Sequence, residues 1–211
     1  MANLAEVVPR LLYTDSGRTL VVRPGENEDP EMLYQQICAT FENHKIEQDR
    51  EGNIIIMAPV GGEASDQNSE FTMQLRLWAK RDGRGRVFDS SAGFILPDGT
   101  KFSPDSAWVS YGKLGRLSVE ERRQWLRLVP EFVVEIKSPS DRYPDLQQKM
   151  TVWMRNGVEL AWLIHPGQRE VLIYRQDRTL PELCLGTHLH GEGPLAGFTL
   201  DLNPIWQGLE F

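Results

Sequence analysis

The sequence has few cysteines and lacks long hydrophobic runs. Its 211 residues include only two cysteines, Cys38 and Cys184, which lie far apart and form no C-x-x-C pattern. This spacing argues against a disulfide framework or a zinc ribbon and favours reduced thiols in a cytoplasmic protein. No apolar run is long enough to cross a membrane, and the first residues lack the basic and apolar regions of a secretory signal.

Basic charge is also in short supply. The 23 Lys and Arg residues are outnumbered by 30 Asp and Glu residues, and the net charge is −7. This balance argues against a nucleic-acid coat protein, which would be basic overall. An enzyme that meets a phosphodiester at one local site stays possible, because carboxylates that hold a metal add to the acidity. The sequence contains no P-loop, no G-x-G-x-x-G and no nucleophile elbow.

Hydrophobic periodicity predicts one α/β (α+β) domain in which strands and helices alternate. We expect a single domain over residues 1–211, made of an N-terminal extension with a hairpin and a helix (1–45), a core (54–165) and C-terminal strands with a tail (166–211). The predicted helices span 30–43, 61–85, 118–130 and 140–158, and residues 86–110 alternate like a β-meander. Ser118 and Glu121 form a capping-box pattern at the start of the third helix.

The stretch PEFVVEIKSPSD, residues 130–141, places two charges inside an apolar strand. Side chains alternate along a strand, so Glu135 and Lys137 share one face with Val133. Because an unpaired buried charge is costly, the two residues either form a salt bridge or line a site.

An acidic residue precedes another short apolar strand, at Asp105. If the two strands pair, Asp105 and Glu135 converge, and two carboxylates that converge repel each other unless a cation joins them. Mg²⁺ takes carboxylate oxygens, backbone carbonyls and water, so the carbonyl of Ile136 is a further ligand candidate. Lys137 would then orient or activate a water or stabilise phosphate charge. The pattern is consistent with metal-assisted hydrolysis of a phosphodiester.

These residues resemble the motifs of the PD-(D/E)XK nuclease superfamily, with Pro104-Asp105 as its "PD" and Glu135-Ile136-Lys137 as its "(D/E)XK". The longer block from IIIMAPVGGE to LAWLIHP, with the tail GPLAGFTLDLNPIW, is similar to the Uma-two family of restriction-endonuclease-like proteins. The resemblance implies a restriction-endonuclease-like core, with a mixed sheet flanked by helices and a β-rich C-terminal tail. It further implies an Mg²⁺- or Mn²⁺-dependent endonuclease that hydrolyses DNA, and a homodimer.

The resemblance also implies a third acid on the helix that precedes the motifs. Glu63 and Glu70 are two helical turns apart and lie on nearly the same face. The family places a polar residue at the position of Glu63, which favours Glu63 and leaves Glu70 as the alternative. On the following helix, Gln147 and Lys149 are supporting candidates, with Lys149 as a phosphate contact.

Two alternatives remain open at the level of sequence. Pro97-Asp98-Gly99 is a second Pro-Asp, but its position between two apolar runs predicts a hairpin turn. The chain could also be a nuclease-fold protein that has lost catalysis and binds nucleic acid or protein, or a structural domain whose Glu135 and Lys137 are an accidental ion pair.

Overall fold

Two six-stranded sheets organise the part of the chain that the computed structural model describes, residues 11–13 and 19–210. In chain order the strands are β1 (Leu11–Tyr13), β2 (Thr19–Val22), β3 (Lys45–Gln48), β4 (Ile54–Met57), β5 (Gly85–Asp89), β6 (Phe94–Ile95), β7 (Lys101–Phe102), β8 (Ser106–Ser110), β9 (Phe132–Ile136), β10 (Leu160–His165), β11 (Glu170–Arg175), β12 (Glu182–Cys184), β13 (His188–His190) and β14 (Thr199–Asp201). The helices are α1 (Pro30–Thr40), α2 (Gly62–Asp82), α3 (Tyr111–Leu114), α4 (Tyr143–Arg155) and α5 (Asn203–Gln207).

The first sheet has the order β1-β2-β4-β3-β7-β6, and its neighbouring strands are antiparallel. Helix α1 begins after Asp29, whose side chain accepts a hydrogen bond from the Glu31 N–H at 2.9 Å, as expected of an N-cap. One face of the sheet packs on this helix through β4 residues Ile54 and Ile56. The predicted N-terminal hairpin pairs β1 with β2, and its turn at 15–17 lies outside the described residues.

The second sheet has the order β12-β11-β10-β9-β8-β5. Strands β9 and β10 are parallel and the other neighbours are antiparallel, so this sheet is mixed. Helix α2 covers one face with Phe71 and Leu75, and α4 covers the other with Met150 and Trp153. The predicted mixed sheet between helices is confirmed, and all five residues of β9 are buried because both of its faces are covered.

The predicted β-meander over 86–110 is divided between the two sheets. Strands β5 and β8 join the second sheet, whereas β6 and β7 join the first, where Lys101 pairs with Gln48 of β3. Alternation along the chain identifies these strands, but it cannot assign their partners, which are distant in sequence. This division places the segment before β8 between the two sheets.

The predicted helix over 118–130 is wrong beyond its first turn. Ser118 and Glu121 form the reciprocal capping-box hydrogen bonds, but only a 3-10 turn at Glu121–Arg123 follows. The chain then leaves the helical path because Leu126 pairs with a strand: its N–H donates to the Gly93 carbonyl at 2.9 Å, and its carbonyl accepts from the Ile95 N–H at 3.0 Å. Tertiary pairing therefore outweighs the local helix signal.

None of the helices within the described ranges is long and apolar enough to cross a membrane.

Candidate active site

The pairing of β8 with β9 brings Asp105 next to Glu135. The two strands are antiparallel with Ser106 opposite Val134, so the preceding residue, Asp105, comes level with Glu135. The Asp105 N–H donates to the Val134 carbonyl at 3.0 Å, and Oδ2 of Asp105 accepts from the Ile136 N–H at 2.8 Å. These two hydrogen bonds, one to the backbone and one to the side chain of Asp105, hold its carboxylate at the end of β9.

The carbonyl of Ile136 lies on the same side of β9 as Asp105. The N–H and C=O of one strand residue point to the same neighbouring strand, and the Ile136 N–H points to Asp105. Ile136 also lines the cavity that contains both carboxylates. The Ile136 carbonyl oxygen and the carboxylates of Asp105 and Glu135 thus lie at the same cavity.

Helix α4 controls the environment of Glu135, which is only 2% exposed. Lys149 and Trp153 are one turn apart on this helix, so both reach the same carboxylate. The Lys149 Nζ lies 2.8 Å from Oε1 of Glu135, and the indole N–H of Trp153 donates to the same oxygen at 3.1 Å. Burial raises the pKa of Glu135 to about 7, against the opposing effect of the Lys149 and Lys45 ammonium groups.

A third carboxylate, from Glu47 on β3, completes the surroundings of Lys149. The Lys149 Nζ donates to Oε1 of Glu47 at 2.8 Å and to the Ser103 carbonyl at 3.3 Å. The Ser103 N–H donates to the same Glu47 oxygen at 2.9 Å. Burial lowers the pKa of Lys149, but the Glu135 and Glu47 carboxylates outweigh burial and raise it above its ordinary value. Lys149 is therefore a buried cation between two carboxylates.

Lys45 links this group to Asp105. Its Nζ lies 3.8 Å from Oδ1 of Asp105 and 3.9 Å from Oε1 of Glu47. Lys45 and Glu47 are two residues apart on β3 and share the face that is turned away from α1. Neither residue was predicted from the sequence, because β3 reads Lys-Ile-Glu-Gln and a charge in so polar a strand does not stand out as Glu135 does in β9.

Lys137 lies apart from these carboxylates. Its Nζ donates to the Ser138 carbonyl at 3.0 Å, and within the described chain it forms no ion pair with Glu135. It lies toward His165, whose pKa is lowered by burial and then by the Lys137 charge. Glu135 therefore takes its cation from α4 and not from its own strand.

The two candidates for the third acid have their contacts elsewhere. The Glu63 carboxylate lies against Gly208 after α5, where an added Cβ would come within 2.4 Å of Oε1. Glu70 accepts a hydrogen bond from Gln74 at 2.8 Å. Neither side chain lines the cavity of Asp105 and Glu135, and neither does Gln147. Their catalytic roles stay predictions, and the third carboxylate that contacts Lys149 is Glu47, which lies on β3 and not on the helix where the third acid was expected.

The second Pro-Asp pair of the sequence, Pro97-Asp98, forms a turn. The Thr100 N–H donates to Oδ1 of Asp98 at 3.1 Å, and Gly99 adopts a positive φ of 88°. The side-chain amide of Asn156 donates to Asp98 Oδ2 at 3.0 Å. Asp98 thus shapes the turn between β6 and β7, as its sequence context indicates.

The carboxylates lie in a cavity of about 1060 Å³ between the two sheets. Its walls come from β2, β3 and β4, from the start of α2, from the segment before β8 and from the start of α4. Nine Asp or Glu residues and five Lys or Arg residues line it. The lining is therefore acidic, which favours a cation and disfavours nonspecific contact with a polyanion.

The donor set fits a hard divalent cation. Asp105, Glu135 and the Ile136 carbonyl supply oxygen ligands, and Mg²⁺ usually takes only one or two carboxylates and keeps several waters. Among the described residues, no three His, Cys, Asp or Glu side chains are grouped closely enough to form an all-protein metal cage. Water and substrate would therefore have to supply the remaining ligands of such an ion.

Together, the mixed sheet between helices and the paired carboxylates at the β8–β9 junction define a nuclease-like α/β protein. Residues 31–203 match the model of the Uma2 (Uma-two) family, described as "Putative restriction endonuclease". Because the match covers most of the chain, the protein belongs to this family, and the resemblance noted in the sequence is confirmed. A comparison with curated proteins gives no match.

Two solved structures are similar in fold. A "putative nuclease belonging to DUF820" from Anabaena variabilis ATCC 29413 is 20% identical, with a TM-score of 0.65 over 77% of this chain and 89% of that chain. This likeness confirms the nuclease fold. A DrdV–DNA complex is 13% identical over 73% of this chain and 12% of that chain, with a TM-score of 0.38, which is too low to carry an argument.

Proposed function

We propose that this protein is a metal-dependent endonuclease that hydrolyses DNA phosphodiester bonds, with Mg²⁺ or Mn²⁺ as cofactor. The observation that supports this most strongly is the convergence of Asp105, Glu135 and Glu47 with the buried Lys149 ammonium inside one cavity. Membership in a family described as restriction endonucleases favours DNA as the substrate.

Each residue has a distinct role in this proposal. Asp105, Glu135 and the Ile136 carbonyl would hold the metal, which when bound supplies Lewis acidity and lowers the pKa of a bound water. Lys149 stabilises negative charge that develops on the phosphate, since its ammonium already lies 2.8 Å from Glu135. Trp153 fixes the Glu135 carboxylate by its indole hydrogen bond.

Two lysines have supporting roles, and Glu47 positions Lys149. Lys45 balances Asp105 and Glu47 from the floor of the cavity. Lys137 has its ammonium bonded to the Ser138 carbonyl, apart from the carboxylates, and would meet the substrate only at a flanking phosphate. Catalysis by Lys137 itself stays a prediction of the motif.

The first test combines metal binding with nuclease activity. Mn²⁺ is titrated calorimetrically into the wild type and into Glu135→Gln, and the same samples are incubated with supercoiled plasmid. We expect the wild type to bind Mn²⁺ and nick the plasmid, and the variant to lose about a hundredfold or more of the nicking rate. A wild type that neither binds metal nor cuts DNA contradicts the proposal.

A matched pair of variants tests the third acid. Glu47→Gln removes a carboxylate that touches Lys149, whereas Glu63→Gln makes the same change at a residue that lies against Gly208. We expect a large loss of nicking for Glu47→Gln and near wild-type nicking for Glu63→Gln. The reverse order would return Glu63 to the site and remove Glu47 from it.

The second candidate function is a nuclease-fold binding module without catalysis. The acidic lining of the cavity favours a protein over a nucleic acid as the partner of such a module, because a polyanion is attracted only weakly to an acidic surface. Mn²⁺ binding without nicking of any plasmid or oligonucleotide supports this alternative. The homodimer expected from the family is a separate prediction, which sedimentation analysis checks.

A further inference from the structure

We propose that the substrate of this site is single-stranded DNA and that an apolar strip beside the carboxylates receives its unpaired bases. This inference rests on the proposed nuclease function and adds the class of strand that the site accepts. Three features carry it: an apolar surface next to the acids, the depth of the acids, and the charge of the cavity.

The apolar strip consists of Val21 on β2 and of Ile55 and Met57 on β4. Ile55 and Met57 alternate with Ile54 and Ile56, and Val21 lies between Leu20 and Val22. The alternate residues pack in the cluster around α1, so the strip faces the cavity. The strand register places Ile55 between Val21 and Glu47 and pairs Met57 with Lys45.

Directly opposed side chains in antiparallel strands have Cβ atoms roughly 4.5–5.5 Å apart. The apolar strip is therefore directly adjacent to Glu47 and Lys45 on β3. The Lys45 Nζ in turn lies 3.8 Å from Oδ1 of Asp105. A polynucleotide whose phosphate reaches the acids consequently places its neighbouring nucleotides on apolar side chains. The faces of unpaired bases fit such a surface, whereas the bases of a duplex are stacked on one another and present only their edges.

The acids are too deep for an intact duplex. Glu135 and Glu47 are each 2% exposed, and the Asp105 side chain is 15% exposed. A duplex is a stiff rod with a persistence length of about 50 nm, so its backbone enters a recess less readily than that of a single strand. A single strand is flexible and narrow, so one of its phosphates can enter the cavity.

The charge of the cavity leads to the same conclusion. With nine acidic and five basic residues, the lining offers no continuous basic track for the two phosphate rows of a duplex. Affinity must therefore come from the metal at one phosphate and from apolar contact with bases. A single strand can use both contacts at once.

Fluorescence anisotropy with Ca²⁺ tests strand preference, because Ca²⁺ is a hard cation that takes the same oxygen ligands. A labelled oligonucleotide is compared with the same oligonucleotide annealed to its complement. We expect the single strand to bind about tenfold or more tightly than the duplex. Equal or tighter binding of the duplex overturns the inference.

Two variants with the same substitution test the apolar strip. Met57→Gln makes the strip polar, and Met73→Gln makes the same change on α2 at a residue that is 47% exposed and outside the cavity. We expect Met57→Gln to weaken single-strand binding about tenfold and Met73→Gln to leave it unchanged. Equal effects of the two variants overturn the inference.

Cleavage in Mn²⁺ separates this inference from the proposed function. Cleavage of the single strand with little cleavage of the duplex supports both proposals. Cleavage of the duplex without preference leaves the nuclease assignment standing and overturns the single-strand inference. If the wild-type protein cuts neither substrate in Mn²⁺, the nuclease assignment is overturned. The single-strand inference, which rests on that assignment, is then overturned as well.

Discussion

At the scale of single residues, the buried Lys149 is the centre of the candidate site. Its ammonium lies 2.8 Å from both Glu135 and Glu47, and its side chain is only 12% exposed. Lys137 belongs to the short motif, but it donates to a carbonyl and lies apart from the acids. The cation that contacts Glu135 and Glu47 therefore comes from helix α4 and not from the motif on β9.

Replacing each lysine by Met distinguishes their contributions. Lys149→Met leaves two buried carboxylates without their cation, so we expect the free energy of unfolding to fall by about 3 kcal/mol and nicking to fall by about a hundredfold or more. Lys137→Met loses one hydrogen bond to a backbone carbonyl and is expected to cost about 1 kcal/mol or less. Urea unfolding and plasmid nicking measure both effects, and a larger loss for Lys137→Met contradicts the assignment.

The pKa of Glu135 makes metal affinity depend on pH. Burial raises this pKa to about 7, so a proton occupies the carboxylate increasingly as the pH falls below 7 and competes with the metal. We expect Mn²⁺ affinity to fall by up to about tenfold per pH unit below 7 and to level off above pH 8. Calorimetric titration of the wild type from pH 5.5 to 8.5 measures this dependence. An unchanged affinity down to pH 5.5 argues against the raised pKa.

At the scale of elements, strand β4 serves two purposes through its alternation. Ile54 and Ile56 pack against α1 and are at most 1% exposed, whereas Ile55 and Met57 line the cavity. Because side chains alternate along a strand, one face of β4 packs in the core and stabilises the fold, and the other face forms part of the candidate binding surface. The same alternation on β3 buries Ile46 against α1 and turns Lys45 and Glu47 to the cavity.

Alanine substitutions on the two faces of β4 should separate stability from function. Ile56→Ala leaves a void in a packed core and is expected to lower the free energy of unfolding by about 2–5 kcal/mol. Ile55→Ala, on the half-buried cavity face, is expected to cost about 1 kcal/mol or less. Thermal or urea unfolding measures both, and equal costs would mean that the faces of β4 are not distinguished in this way.

At the scale of the whole molecule, the candidate site joins the two sheets. Glu47 comes from the first sheet, Asp105 and Glu135 from the second, and Lys149 from the helix that packs on the second. Neither sheet alone therefore contains the full group of charges. The division into an N-terminal extension over 1–45 and a core over 54–165 stays a prediction. Glu47 lies between these two ranges in the sequence and belongs to the first sheet.

Metal binding should stabilise the entire fold. A ligand that binds only the folded state adds about 2.7 kcal/mol to the free energy of unfolding at a hundredfold excess over its Kd. For a chain of this size we expect Mn²⁺ to raise the Tm by roughly 5–10 °C, as measured by calorimetry or circular dichroism. Glu135→Gln should abolish most of this shift. A Tm that does not respond to Mn²⁺ in the wild type contradicts the metal site.

The sequence by itself determined most of the local elements, but not the segment after Ser118, and it identified the pair of motif carboxylates. Asp105 and Glu135 were recognisable because each lies beside or inside an apolar strand and because their motifs are short and continuous. Helices α1, α2 and α4 were predictable because hydrophobic periodicity and terminal Pro or Gly residues act within a few residues.

Only the tertiary structure decided which charges meet. The Lys149–Glu47 contact joins residues that are 102 positions apart, and the division of β5 to β8 between two sheets depends on partners elsewhere in the chain. Periodicity specifies which face of an element is polar, but it does not specify what that face will oppose. Glu135 is paired with Lys149 and not with Lys137 because packing across the cavity brings α4 to it, and the cost of burying unpaired charge favours the pairs that form.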